Sequence, residues 1–302
     1  MKRFNLKNIK FFNNSMNNIF YILFIIFFVI IIILFIFYQM NIVKTIQINR
    51  WNGRLGNNII QLINVIQISL YYKYNIDIPN HSFFKYNKEG KGIKKLPMNI
   101  VKDNSDFFYI DKILNLDKEA FNCNINESVQ ILKNIFTIKN NMLLKKNKML
   151  IHIRSGDIFC SNHPHKDYIN PPYYYYKKII DENDVENIIL IAEDRKNPVI
   201  NKLLNNYPNI IFKQQRLEED IKLLLESEIV IMSFGTFVPS LLILSDNIKK
   251  IYKPSYQSFD YYYKFFNNIE IIDIHLDEYR ALQHPWKNTE NQKRLLLNYK
   301  IE

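Results

Sequence analysis

The chain has 302 residues, of which 48% are hydrophobic and 15% aromatic, and a formal net charge of +11. That apolar content excludes an intrinsically disordered chain, and two cysteines exclude a disulfide scaffold or a zinc site of Cys/His spacing. The charge does not mark a nucleic-acid-binding body: residues 1–76 hold eight Lys/Arg and no carboxylate, while the rest carries 32 basic against 29 acidic residues, and a nucleic-acid-binding domain bears its basic stripe on the folded body.

In chain order, the first element is a membrane anchor. Lys2, Arg3, Lys7 and Lys10 in a tail over 1–18 precede twenty uncharged apolar residues, Ile19 to Tyr38. At 1.5 Å per residue, ~20 residues cross a ~30 Å hydrocarbon core. No small-residue pair follows, as a cleaved signal peptide would require. The sequence therefore predicts an uncleaved anchor over 19–40, in the membrane through 19–38. Its basic flank puts the tail in the cytoplasm. Residues 41–302 then lie in the lumen of an ER- or Golgi-like membrane, as in a type II protein. Asn80-His81-Ser82 and Asn126-Glu127-Ser128 become N-glycosylation sequons. Cys123 and Cys160 either pair there or stay as two free thiols.

Residues 45–49 (TIQIN) read as a strand, followed by a glycine-containing loop and an apolar-rich helix over about 58–72. Residues 80–145 are weakly patterned, and the basic stretch 139–148 is a candidate linker. From 148 onward, short apolar strands alternate with amphipathic helices. Strands are predicted at 149–153, 187–192, 209–212, 229–232 and, as the last, 250–252. Helices are predicted at 172–180, 198–206, 217–227 and 237–245. Short buried strands alternating with helices of ~10 residues indicate a parallel sheet covered on both faces. The YYYY run at 173–176 reflects composition, or else turns two rings into a cleft.

Glycine is scarce, at six of 302 residues, amid abundant Ile, Asn, Lys, Tyr and Phe. Where it does occur, another residue would fail, either at positive φ or where the backbone must closely approach another group. Gly53, Gly56, Gly156 and Gly235 all fall in loops after predicted strands, and such strand-end loops bind ligands in parallel α/β sheets. The first cluster runs from Asn52 to Asn58 (NGRLGNN). It lacks the dinucleotide and P-loop glycine patterns. In the second, Ile151 to Asp157 (IHIRSGD), the strand carries His152 and Arg154 to one side. A guanidinium there suits phosphate oxygens and charge on a leaving group. The third, Ser233-Phe234-Gly235-Thr236-Phe237, offers hydroxyls and backbone N–H groups to an anion. Asp220 lies one helix earlier, either as a helix-start charge or as an acceptor for a guanine edge.

Together these clusters resemble a family. HIRSGD resembles the H-x-R-x-G-D signature of the α1,2-, α1,6- and protein O-fucosyltransferase superfamily. GRLGNN resembles the G-x-x-G-N-Q loop of the same enzymes, and Asp220 with the SFGTF turn resembles their third donor-binding region. The resemblance covers about residues 45–255 and is closest to the α1,2 branch. It implies an α/β GT-B-like fold of two Rossmann-like domains behind the anchor. The acceptor-side domain would span 41–147, the nucleotide-sugar domain 148–255, and a C-terminal tail with a helix 256–302. GDP-L-fucose would be the donor, a glycan the acceptor, and no cofactor is implied. Arg154 would contact the β-phosphate, with His152 and Asp220 near the guanosine. Ser233, Gly235 and Thr236 would hold the diphosphate, while Gly53, Gly56 and Asn57 approach the sugar. Two positions depart from the pattern: Ser155 stands where many members have a second Arg, and Asn58 where they have Gln.

The chain contains no D-x-D pair, the usual metal holder of the other main glycosyltransferase fold, so a metal-independent inverting displacement is expected. Asp157 and Glu193 are both candidates for the base that helps the acceptor hydroxyl, and Asp157 stands with Arg154 as the expected catalytic pair. An acceptor-side loop over 162–168, with His163 and His165, competes with a plain surface loop. Two alternatives remain: a catalytically silent membrane glycoprotein that keeps the fold as a binding module, and a glycosyltransferase that uses another nucleotide sugar.

Overall fold

In the computed structural model, residues 23–35, 45–85, 117–139, 148–161 and 163–301 are described. Residues 23–35 are helical, and their apolar side chains from Leu23 to Phe35 are exposed. No helix among the described residues is long and apolar enough to cross a membrane. The rest of the 19–38 run, the tail, Gly90, Gly92 and nearly all of 139–148 lie outside the described residues.

The second half of the chain is a six-stranded parallel sheet. Its strands are β3 (Lys148–His152), β4 (Asn187–Ile191), β5 (Ile210–Lys213), β6 (Ile229–Ile231), β7 (Lys250–Pro254) and β8 (Glu270–Ile274). They lie in the order β5-β4-β3-β6-β7-β8. The chain builds outward from β3 in one direction, then returns to β3 and builds outward in the other. The reversal between β3 and β6 is a topological switch point, where the loops at the strands' carboxyl ends part and leave a crevice.

Strand periodicity decides the layers. On β3, Leu150 faces one apolar cluster, while Met149 and Ile151 face the other. Each fully buried Leu or Ile contributes ~1.5–3 kcal/mol, so both faces demand cover. Helices α4 (Tyr173–Glu182), α5 (Pro198–Asn206), α8 (Asp277–Gln283) and α9 (Glu290–Asn298) cover the second face. The first is covered by α1 (Leu55–Tyr72), α6 (Leu217–Glu226) and α7 (Phe237–Leu242). Local signals set the helix ends. Asn197 caps α5 by accepting from the Val199 N–H, with Pro198 in the first turn. Thr289 and Gln292 form a reciprocal capping box on α9. In the tyrosine run, Tyr175 and Tyr176 are buried, and the Tyr175 hydroxyl donates toward the carbonyls of Met232 and Tyr252. Tyr173 and Tyr174 line an outer cavity with Lys177, Lys202 and Tyr207, away from the glycine loops.

Residues 256–302 are more than a tail. β8 adds a parallel edge strand beside β7, in the register Lys250↔Glu270 and Lys253↔Asp273. Both pairs are ion pairs across the strands. The predicted last strand at 250–252 is therefore followed by another. Its sequence, EIIDI, is half polar because an edge strand buries little, so it lacks the apolar run of β3 or β4.

The first half is described over 45–85 and 117–139. Among the described residues it contributes two short parallel strands, β1 (Thr45–Gln47) and β2 (Asn75–Asp77), with α1 and α2 (Ile125–Ile135). Residues 86–116 and 140–147 lie outside the description. The apolar residues of β1, α1 and α2 join the cluster beneath the large sheet instead of forming a separate one. Helix α1 carries buried polar residues at every third position: Asn58, Gln61, Asn64 and Gln67. Asn64 accepts from the Tyr261 hydroxyl at 2.7 Å, and Gln67 Oε1 from Lys264 Nζ at 3.3 Å. Burial lowers the Lys264 pKa to about 8. These bonds pin the first half against the segment between β7 and β8.

Candidate functional site

The three glycine loops meet at the switch point. Ile151 and Ile231 are paired across β3 and β6, so the IHIRSGD and SFGTF loops leave adjacent strands. Ser233 Oγ accepts from the Arg154 backbone N–H at 3.0 Å and lies 3.3 Å from His152 Nδ1. Part of His152 reaches solvent, yet burial, with the Arg154 charge second, lowers its pKa to about 3. The imidazole is neutral, so Nδ1 can accept from the serine. His152, Arg154 and Ser233 form one hydrogen-bonded unit, as expected for loops serving one ligand.

The first half reaches the same place through Arg54 to Asn57. The Thr236 hydroxyl donates to Asn57 Oδ1 at 2.6 Å. A Cβ on Gly56 would lie 2.7 Å from the Thr236 carbonyl carbon and oxygen, and 2.8 Å from Phe237 Cα. Backbone meets backbone there, and only hydrogen fits between them. Gly53 and Gly235 have positive φ, as does Gly156. The Gly235 N–H donates to Gln257 Oε1 at 2.9 Å, so that donor is already engaged. Helix α7 ends at Leu242, short of the predicted 245.

Four charged side chains line the mouth. Arg154 Nη2 pairs with Asp157 Oδ1 at 3.0 Å. From the other half, Arg54 reaches Asp157 at 3.4 Å and Glu193 at 3.1 Å. Tyr168 stands over Arg154, with the guanidinium carbon 5.7 Å from its ring centre. Arg154 Nε is buried without a hydrogen-bond partner among the described residues. Asp220 lies in the first turn of α6, at the same edge of the sheet. Its Oδ1 is also buried and unpartnered, and burial, opposed by a bond from Gln215, raises its pKa to about 6. No hydrogen bond joins Asp220 to the other site residues among the described ones. Arg154 Nε and Asp220 Oδ1 are two of eight buried side-chain atoms without a partner among the described residues, and each is open to a ligand atom.

Sequence reasoning missed the scaffold behind these loops. Ser155 does not face the mouth: its hydroxyl donates to Asp194 Oδ1 at 2.5 Å and accepts from the Asn197 N–H at 3.0 Å. Asp194 Oδ1 also accepts from Gly156 N–H at 3.2 Å and Lys196 N–H at 3.0 Å. Burial opposes the Asp194 anion, but these bonds outweigh it and lower its pKa. The loop after β4 thus holds the loop after β3. Asn58 is likewise structural, donating to the Asn52 carbonyl at 2.9 Å. The one available signal was Glu193-Asp194 following an apolar strand, in the same place as Ser155-Gly156-Asp157. Of the loop over 162–168, Asn162 lies outside the described residues. His163 and His165 are exposed or nearly so, and Tyr168 is the residue that reaches Arg154. Cys123 and Cys160 are free thiols.

No family model matches the chain, and no curated protein does. Three solved structures are similar at low identity. The NodZ α-1,6-fucosyltransferase soaked with GDP-fucose is 10% identical, covering 66% of this chain and 92% of its own, with a TM-score of 0.37. POFUT1 in complex with GDP is 8% identical, covering 68% and 93%, with a TM-score of 0.33. The E. coli heptosyltransferase WaaC with ADP is 8% identical, covering 80% and 96%, with a TM-score of 0.39.

Proposed function

We propose that the chain is a membrane-anchored glycosyltransferase that moves a sugar, fucose by its motifs, from a GDP-linked donor to a glycan hydroxyl. The observation that carries this reading is the pair of buried atoms without a partner among the described residues, Arg154 Nε and Asp220 Oδ1. One suits an anion and the other a hydrogen-bond donor, and a GDP-sugar has both a diphosphate and a guanine N–H edge. In this reading Arg154 binds the β-phosphate and compensates charge as the glycosidic bond breaks. Ser233 and neutral His152 hold the Arg154 backbone in place. Thr236, Gly235, Asn57, Gly53 and Gly56 bring the two halves together over the donor, and inversion follows attack by the acceptor from the 41–147 side. The anchor over 19–38 and a luminal body in an ER- or Golgi-like membrane enter this reading from the sequence alone, since no helix among the described residues is long and apolar enough to cross a membrane. No metal is needed where a guanidinium offsets the diphosphate charge.

A catalytically silent binding module is the second reading. It is favoured by Ser155, which is turned into the Asp194 network where the resembling enzymes carry a second Arg. Incubating the full chain in detergent with a panel of GDP-sugars, with and without EDTA, separates the two. Release of GDP from GDP-fucose that survives EDTA supports the enzyme. GDP binding without release from any donor supports the module.

A further inference from the structure

We propose that Glu193 is the base that takes the proton of the acceptor hydroxyl, a deepening that rests on the glycosyl-transfer reading above. Two carboxylates face the mouth, and their surroundings differ. Both oxygens of Asp157 are engaged by guanidinium groups: Oδ1 lies 3.0 Å from Arg154 Nη2, while Oδ2 lies 3.3 Å from Arg154 and 3.4 Å from Arg54. Both of its oxygens already accept charge-assisted contacts, whereas a base needs one oxygen aimed at the acceptor hydroxyl. The place of Asp157 is to position the two arginines.

Glu193 is bound on one side only. Arg54 Nη1 holds Oε2 at 3.1 Å, and Oε1 has no hydrogen-bond partner among the described residues. The side chain is 52% exposed, so an acceptor can reach it. It lies flat against the IHIRSGD loop: a Cβ on Gly156 would come within 2.6 Å of Glu193 Cδ. Glycine there has a second reason beyond its φ of 67°, because any side chain would displace the carboxylate. The base thus rests against the loop that carries the phosphate-binding Arg154, and a residue of the opposite half orients the base. A nucleophile-activating base aimed by a third group is a recurring catalytic arrangement.

The step balances. The acceptor O–H proton passes to Glu193 Oε1 as the acceptor oxygen bonds to the anomeric carbon. The bond from that carbon to the β-phosphate oxygen breaks, and its electron pair leaves with GDP, whose added charge faces Arg154. Glu193 then returns the proton to solvent.

The test uses the full chain in detergent, with GDP-fucose as donor and a panel of mono- and disaccharides as acceptors. Acceptor-dependent GDP release and GDP affinity are both measured. Glu193→Gln should lower turnover ~10²–10⁴-fold, the usual contribution of a positioned base, with GDP affinity unchanged within about twofold. Glu193→Asp, which keeps a carboxylate, should recover part of the rate. Turnover of Glu193→Gln within tenfold of wild type overturns the proposal. So does an equal loss of GDP affinity, which would make Glu193 only a support for the Arg54 loop. A wild-type chain that binds GDP but releases none from any donor overturns the glycosyl-transfer reading itself, a result distinct from the other two.

Discussion

Gly56→Ala tests whether the two halves must touch at the SFGTF loop. Gly56 is the second residue of α1, and in an open helix Ala would be favoured by up to ~1 kcal/mol. Here its methyl would stand 2.7 Å from the Thr236 carbonyl, and backbone cannot swing away as a flexible side chain can. Restoring an ordinary contact of ~3.4 Å requires a shift of about 0.7 Å between the loops. Overpacking of this kind costs ~1–3 kcal/mol; at the upper end it outweighs helix propensity by ~2 kcal/mol, lowering Tm by roughly 4–8 °C for a body of this size. The same shift stretches the 2.6 Å bond between Thr236 and Asn57 and opens the crevice, and a misplacement near 1 Å can cost ~10² in rate. Differential scanning fluorimetry and GDP-release kinetics on one preparation read both effects. A Gly56→Ala chain with wild-type Tm and turnover would refute the close approach as a functional contact.

Three further outcomes follow. Arg154→Ala and Arg154→Lys should each lower turnover ~10²–10³-fold, the alanine also weakening GDP binding. Their Tm should scarcely change, because the partner Asp157 is half exposed and such pairs contribute ~0–1 kcal/mol; a large fall in Tm with turnover preserved would make Arg154 structural. Asp220 has a folded pKa raised to about 6, so between the ordinary carboxylate range and 6 the folded state keeps a proton that the unfolded chain has lost, and stability falls as pH climbs through that window. Asp220→Asn should therefore be more stable than wild type at pH 8 but not at pH 4, by about 1 kcal/mol once solvent screening of this half-buried group is allowed for; an equal difference at both pH values would contradict the burial argument. If the body is luminal, Asn80 should carry a glycan, because Asn80 and Ser82 lie exposed in a turn after β2. Asn126 should not, because it lies inside α2 with Ser128 buried and its hydroxyl bonded to the Ile125 carbonyl. Peptide mapping after expression in a secretory eukaryotic host checks this, and protease protection of sealed microsomes separates reversed topology from an unused sequon.

Much of the fold was legible because its signals are local. Buried parallel strands read as unbroken apolar runs, and the run at 187–192 and the helix at 198–206 match β4 and α5 closely. In a glycine-poor chain, Gly53, Gly56, Gly156 and Gly235 each stand at a positive φ or a backbone collision, as their scarcity in the sequence led one to expect. Strand β8 escaped because, as an edge strand, it buries only Ile274 fully, so its sequence carries no continuous apolar stretch. The order β5-β4-β3-β6-β7-β8, which puts the crevice between β3 and β6, is a property of tertiary packing and is absent from any window of sequence. So is the division of labour at the mouth. The sequence shows Asp157, Glu193 and Ser155 as polar residues after strands. Only the fold brings Arg54 across from 139 residues away to Glu193, turns Ser155 into the Asp194 network, and leaves one carboxylate oxygen free, because contacts between distant segments form only when the sheet has closed its two faces.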